Sequence, residues 1–213
     1  MSGKLNIAVF ASGRGSNFKA ILEAIKTGKI QNAQIVLVVS NNSDAGAFDI
    51  ACENNIPALH INRKQFGTDE DFNSTLMSSL EKHRVNFIAL AGYMKKIDPT
   101  IVRAFKNCIV NIHPALLPKF GGGGMYGMHV HEAVIASKDK ISGASVHLVD
   151  EEYDHGPVVL QETVPVEAND TPFTLSERVL KVEHKIYPEA IRLFSEGKIK
   201  VDGRKVIIIN DES

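Results

Sequence analysis

Residues 5–17 constrain the fold more than any other stretch. Leu5-Asn6-Ile7-Ala8-Val9-Phe10 is an apolar run of strand length, Ala11-Ser12-Gly13-Arg14-Gly15-Ser16-Asn17 is a glycine-rich turn, and Phe18, Ile21, Leu22 and Ile25 follow at i, i+3, i+4 and i+7. That spacing marks one face of an amphipathic helix, which Gly28 closes. The order then recurs. A nearly all-apolar strand is expected over 35–39, a helix around 45–54 and a short strand over 58–61. A helix over 69–83, with Phe72, Leu76, Met77 and Leu80 on one side, leads to a buried strand over 87–91. Strands apolar on both faces need helices above and below them. The expected fold is α/β: a doubly wound, mostly parallel, Rossmann-like sheet with helices on both faces.

The glycine turn has the form of an anion cradle, because free N–H groups at a helix N-terminus carry partial positive charge. A dinucleotide fingerprint would want a third glycine where Phe18 stands, and an acid where Ser40-Asn41-Asn42 follows the second strand. A P-loop would want Lys-Ser/Thr after the glycines, which neither this turn nor residues 122–127 supply. Two readings remain: a site for one phosphate, with Ser16 and Asn17 adding side-chain donors, or a tight turn that binds nothing.

Asp98-Pro99 suits the N-cap and first position of a short helix. Beyond it, Cys108-Ile109-Val110 runs into Asn111-Ile112-His113-Pro114. Pro114 biases His113 toward an extended backbone, and on an extended chain Asn111 and His113 project to the same face. A carboxamide donor and an imidazole then stand at the carboxyl end of a strand, where open α/β sheets keep their ligands. An arbitrary Asn-x-His is more often a strand end satisfying backbone groups. Pro114 and Pro118 fixing the exit, with His129, His131, His147 and His155 downstream, tilt the reading toward catalysis.

Residues 120–127 are too rich in glycine for regular structure and read as a mobile loop, even a flap. A short helix then runs from His129-Val130-His131-Glu132 through Ala136. The histidine pair invites a metal, but no cysteine or third ligand stands at zinc spacing, so packing is expected and no metal. Strands over 142–149 and 157–166 flank the acidic loop Asp150-Glu151-Glu152-Tyr153-Asp154-His155-Gly156, where Asp154 alone would pass for a solvated turn residue. Thr171-Pro172 opens a long helix with Leu175, Val179, Val182, Ile186, Ala190 and Leu193 on one stripe, which Pro188 should kink or interrupt. Glu183 lies on the flank of that stripe, where an edge salt bridge is usual. A hairpin around Asp202-Gly203 ends the chain.

At 213 residues with a net charge of −1, the chain carries no general field for nucleic acid or membrane. No apolar run approaches membrane-spanning length, and the N-terminus opens straight into a strand. Cys52 and Cys108 read as reduced and structural, and a cytoplasmic location is expected. No repeat or linker divides the chain, so 1–213 reads as a single domain.

Taken together, these motifs resemble the phosphoribosylglycinamide formyltransferase family, the folate-dependent glycinamide ribonucleotide transformylases of purine synthesis. The marks are Gly13-Arg14-Gly15-Ser16-Asn17, Ala91-Gly92-Tyr93-Met94, residues 111–118, Gly143-Ala144-Ser145-Val146-His147, Asp154-His155-Gly156-Pro157 and Glu183-His184-Lys185-Ile186-Tyr187-Pro188. The resemblance implies formyl transfer from 10-formyltetrahydrofolate to the amine of glycinamide ribonucleotide, by direct attack through a tetrahedral intermediate. It implies Asn111, His113 and Asp154 as the catalytic trio, Gly15, Ser16 and Asn17 as the substrate-phosphate loop, and Glu183 as the ribose-binding carboxylate. Folate would lie between Met94, Lys95, Lys96 and Ile97 on one side and Asp150, Glu151, Glu152, Tyr153 and Asp154 on the other, with Asn111 at the formyl group. The half before residue 110 would bind phosphate, and the half from 111 would hold the catalytic and folate sites.

Departures from the pattern are the longer glycine-rich excursion at 120–128, Lys95 in place of arginine and Ala115 in place of serine. Two enzymes that share the trio are the alternatives. A methionyl-tRNA formyltransferase should add a C-terminal domain and a basic surface, and a formyltetrahydrofolate deformylase an N-terminal domain.

Overall fold

The computed structural model describes residues 3–209. The first half runs β1 (Leu5–Phe10), α1 (Ser16–Lys26), β2 (Ala33–Ser40), α2 (Ala47–Glu53), β3 (Ala58–His60), α3 (Asp69–Lys82), β4 (Phe87–Leu90) and α4 (Pro99–Ala104). The second runs β5 (Ile109–His113), α5 (Met128–Ser137), β6 (Ile141–Leu148), β7 (Val158–Pro165), α6 (Pro172–Ser195), β8 (Ile199–Asp202) and β9 (Lys205–Ile208). Seven strands form one sheet in the order β3-β2-β1-β4-β5-β6-β7, and β8-β9 is a separate hairpin. Pairing is parallel from β3 to β5 and antiparallel through β6 and β7.

Side-chain alternation along β1 explains the layers. Leu5, Ile7 and Val9 enter one core, with Phe18, Ile21 and Leu22 of α1 and the apolar stripe of α6. Ala8 and Phe10 enter the other, with Leu76 and Leu80 of α3 and Ile101 and Val102 of α4. Each face of the sheet is thus sealed by its own helices, as parallel strands require. The short helix α4 starts where expected, with the Asp98 side chain accepting from the Thr100 N–H at 2.8 Å and Pro99 at its first position.

Pro188 is accommodated within the helix. It neither interrupts α6 nor divides it: one helix runs from Pro172 to Ser195. A proline inside a helix costs about 3 kcal/mol. Around it Ile186, Tyr187, Ala190, Ile191, Leu193 and Phe194 are buried, and full burial of one large apolar side chain contributes roughly 1.5–3 kcal/mol. Tyr187 also donates from its hydroxyl to the carbonyl oxygens of Leu90 (2.9 Å) and Val110 (3.2 Å), tying the helix to β4 and β5. Tertiary packing outweighs the local penalty.

After β1 the chain passes to β2 on one side, and β4 lies on the other. The connections leaving β1 and β4 therefore diverge, which opens a crevice at their carboxyl ends. The functional residues gather there.

Candidate active site

A cavity of about 520 Å³ lies at that crevice. Two elements bring the trio to it. Asn111 and His113 end β5, and Asp154 comes from the β6–β7 loop, 41 positions beyond His113 in sequence but 3.6 Å away between Oδ2 and the His113 Nδ1. Asp154 holds a left-handed backbone (φ 51°), a strained conformation for a residue with a side chain. His113 is only 3% exposed. Its Nε2 lies 2.8 Å from the Phe120 carbonyl, which can only accept, so the Nε2 nitrogen carries the proton.

The third neighbour is His147, which the sequence reading named among the downstream histidines but gave no place in the trio. It stands directly opposite Asn111 in the β5–β6 register, and its Nε2 lies 3.1 Å from the Asn111 Nδ2 and 3.5 Å from the Asp154 Oδ1. The Leu148 carbonyl, 2.8 Å from Nδ1, puts the His147 proton there and leaves Nε2 to accept from Asn111. One Asn111 N–H is thereby spent on holding the carboxamide, and the other remains for a ligand. Only the strand register brings these residues together, and a histidine within a strand announces no partner.

Burial and charge compete within the group. Burial pulls the His113 imidazole below its ordinary pKa. The Asp154 carboxylate and the Phe120 carbonyl oppose that pull, and His147 adds to it. The net direction is down: Asp154 does raise the imidazole, but desolvation outweighs one carboxylate at 3.6 Å. For Asp154 the balance is reversed. Burial pushes the carboxyl up, but the His147 ring, the His113 charge and the Gly122 N–H (3.0 Å) together hold it below the usual range.

The expected phosphate and ribose residues divide. Asn17 and Glu183 line the cavity with Arg14, whereas Gly15 and Ser16 do not. Gly15 at φ 76° begins α1, where a Cβ would stand 3.0 Å from the Ala47 Cα. Its lack of a side chain serves the packing of the turn on α2. Glu183 makes no edge salt bridge. It is 8% exposed and accepts from the Asn17 Nδ2 at 2.6 Å. Burial raises its pKa, with the Asn17 donor opposing. Among the described residues the buried Asn17 Oδ1 has no partner, so this end of the cavity holds two acceptors short of donors.

On the far side, Met94, Lys95, Lys96 and Ile97 all line the cavity, as do Asp150, Glu152, Tyr153 and Asp154; Glu151 does not, and lies 3.5 Å from Arg103. The Lys96 ammonium sits 5.5 Å over the Tyr153 ring, linking the two loops. The Met94 N–H donates to the Ser12 hydroxyl at 2.9 Å, tying the first loop to the turn after β1. The expected histidine helix spans Met128–Ser137. His129 turns outward toward Glu132, whereas His131 is buried, lines the cavity, and is pulled down to about 4 by burial and the His113 charge. Among the described residues no cluster of three His, Cys, Asp or Glu side chains is placed to hold a metal ion, and no helix is long and apolar enough to cross a membrane.

Comparison with known proteins identifies the family. The chain is 46% identical over 195 residues to the chloroplastic phosphoribosylglycinamide formyltransferase of Arabidopsis thaliana, covering 91% of this chain and 66% of that one. It is 36% identical over 197 residues to the phosphoribosylglycinamide formyltransferase of Escherichia coli K12, covering 92% and 90% respectively. Among solved structures, glycinamide ribonucleotide transformylase 1 of Symbiobacterium toebii superposes with a TM-score of 0.91 at 36% identity, over 99% of this chain and 96% of that one. Residues 5–191 match the family described as formyl transferase, and the chain belongs to that family.

Proposed function

We propose that the chain transfers the formyl group of 10-formyltetrahydrofolate to the primary amine of glycinamide ribonucleotide. The observation that carries this reading is one cavity with three matched regions. The Asn111–His113–Asp154 group lies at its centre, the hydroxyl-seeking acceptors of Asn17 and Glu183 at one end, and the paired loops 94–97 and 150–154 at the other.

In this reading the ribose hydroxyls give the Asn17 carbonyl and the Glu183 carboxylate the donors they lack. The N-terminus of α1, with Gly15 and Ser16 amides and the Arg14 side chain, faces the phosphate. The folate ring system lies between the two loops, against Leu90, Ile97 and Val149. The substrate amine attacks the formyl carbon, and the carbonyl oxygen becomes an oxyanion. The free N–H of Asn111 donates to that oxygen, a contribution of roughly 2.7–4 kcal/mol for a donor of this kind. His113, once it has taken the amine's proton, is an imidazolium and adds positive charge beside it. Collapse breaks the bond from the formyl carbon to the folate nitrogen. The proton lost by the amine ends on that nitrogen, with His113 as its carrier, a role worth about 10²–10⁴-fold. Asp154 orients the ring and favours its charged form. The balance is one amine formylated and one tetrahydrofolate released.

A hydrolase with the same trio would deliver water to the formyl carbon and release formate without the amine. Titration with glycinamide ribonucleotide and with folate separately, followed by product analysis with both present, tests the reading. The expected result is binding of each ligand and formylated amine in equal amount to tetrahydrofolate. Formate release that ignores the amine would overturn it.

A further inference from the structure

Residues 120–122 meet both members of the His113–Asp154 pair through their backbone. The Phe120 carbonyl accepts from the His113 Nε2 at 2.8 Å. The Gly122 N–H donates at 3.0 Å to the Asp154 Oδ2, the same oxygen that faces the His113 Nδ1 at 3.6 Å. Between them Gly121 passes close to the pair: a Cβ there would stand 2.5 Å from the Leu117 Cδ2, the movable end of that side chain, and 3.1 Å from the Asp154 Cβ, so Asp154 itself would have to give way. Phe120 itself holds φ 60°, a left-handed conformation that a bulky residue adopts only where its surroundings impose it. A loop indifferent to the site would show none of these constraints.

We propose that residues 120–122 are a positioning element of the catalytic pair, in which the Phe120 carbonyl fixes the His113 proton on Nε2 and the Gly122 amide holds the Asp154 carboxylate against Nδ1. Protonation at Nδ1 then gives an imidazolium with an acceptor opposite each N–H. The titratable groups facing His113 are Asp154 from the β6–β7 loop, His147 from β6 and His131 from α5. Of these only Asp154 favours the charged ring; His147 and burial oppose it. The Phe120 carbonyl is the second group on the favouring side, so displacing the segment moves the His113 limb of a kcat–pH profile toward acid. The proposal rests on the formyl-transfer reading for its kinetic assay alone.

The test compares Gly121→Ala with Gly123→Ala, whose added Cβ would meet nothing within 4 Å. Gly121→Ala is expected to lower kcat, by up to about 10²-fold if Asp154 is displaced by a full 1 Å, with KM for both substrates nearly unchanged and the His113 limb moved to acid. Gly123→Ala is expected to match wild type. Histidine nitrogen NMR of the wild-type protein, recorded above the His113 pKa, supplies a readout that needs neither variant nor turnover: Nε2 protonated and Nδ1 bare. A wild-type proton on Nδ1, or a Gly121→Ala enzyme equal to Gly123→Ala in kcat and pH limb, overturns the positioning role. A wild type that shows the Nε2 proton but transfers no formyl group overturns the reaction and leaves the positioning standing.

Discussion

The cavity contains two carboxylates in opposite conditions. Asp154, at its centre, accepts from the Gly122 N–H, lies beside two imidazoles and is held below the usual carboxyl range. Glu183, at the α1–α6 end, is buried with a single amide donor and is pushed above it. The same functional group is prepared for different work. Asp154 finds its partners within the protein, so its charge is in place before any ligand arrives. Glu183 has one donor in the protein, Asn17, and in the proposed reading ribose hydroxyls supply the rest. A buried carboxylate short of donors is a binding preference written as local instability.

The largest expected effect breaks the first half of that contrast. Asp154→Asn should preserve binding of both substrates and lower kcat by about 10²–10⁴, by analogy with other orienting carboxylates. It removes a charge that favours the imidazolium, so the limb belonging to His113 should move toward acid. Stability should move as well. A carboxyl held below its unfolded pKa contributes stability at neutral pH that is lost as pH falls through the folded value. Asp154→Asn should therefore lower Tm at neutral pH. Steady-state kinetics against pH, with thermal melts of the same samples, checks both. An unmoved limb would show that the acidic loop is only a solvated turn.

Asn111→Ala sharpens the comparison by removing a neutral group from the same centre. Loss of one oxyanion donor should cost about 10²–10³ in kcat. The His113 limb should stay where it is in the wild type, because a neutral donor changes the charge balance of the ring little. A limb that moved as far as in Asp154→Asn would mean that Asn111 acts through His147 and Asp154 rather than on the oxyanion.

The smallest catalytic effect is expected at the other carboxylate. Glu183→Gln keeps an acceptor for Asn17 but loses the charge. Hydrogen bonds to charged groups are worth about 1.5–3 kcal/mol, so KM for glycinamide ribonucleotide should rise roughly 10- to 100-fold while KM for folate is unchanged. Its stability sign is the reverse of that at Asp154. A carboxyl raised above its unfolded pKa contributes stability only in acid, and that contribution is lost as pH rises through the folded value. Glu183→Gln should therefore raise Tm of the ligand-free protein at neutral pH. If both variants shift Tm in the same direction, the contrast between the two carboxylates fails.

Much of this architecture was legible in the sequence because its signals are local. The apolar run of β1 and the i, i+3, i+4 spacing of α1 name their elements directly, and the Asn111-x-His113-Pro114 spacing places two side chains on one face of a strand end. What escaped depends on register and backbone. The partnership of His147 with Asn111 exists only because β6 pairs with β5 at those residues. The Phe120 carbonyl and Gly122 amide have no side-chain signature at all. Gly15 invited a phosphate reading from its type, yet it also answers to the close approach of Ala47, a contact invisible in one dimension. That Pro188 does not interrupt α6 depends on burial around it, which a local penalty read from sequence does not show.

The central claim is that the Asn111–His113–Asp154 group passes a formyl group from folate to an amine rather than to water. A single-turnover experiment tests it most directly: enzyme in excess over 10-formyltetrahydrofolate, with and without glycinamide ribonucleotide, quenched in time and assayed for tetrahydrofolate, formate and formylated amine. The account predicts tetrahydrofolate and formylated amine appearing together in equal amounts, no formate, and no folate turnover when the amine is withheld. Formate appearing at the same rate in both samples would contradict it.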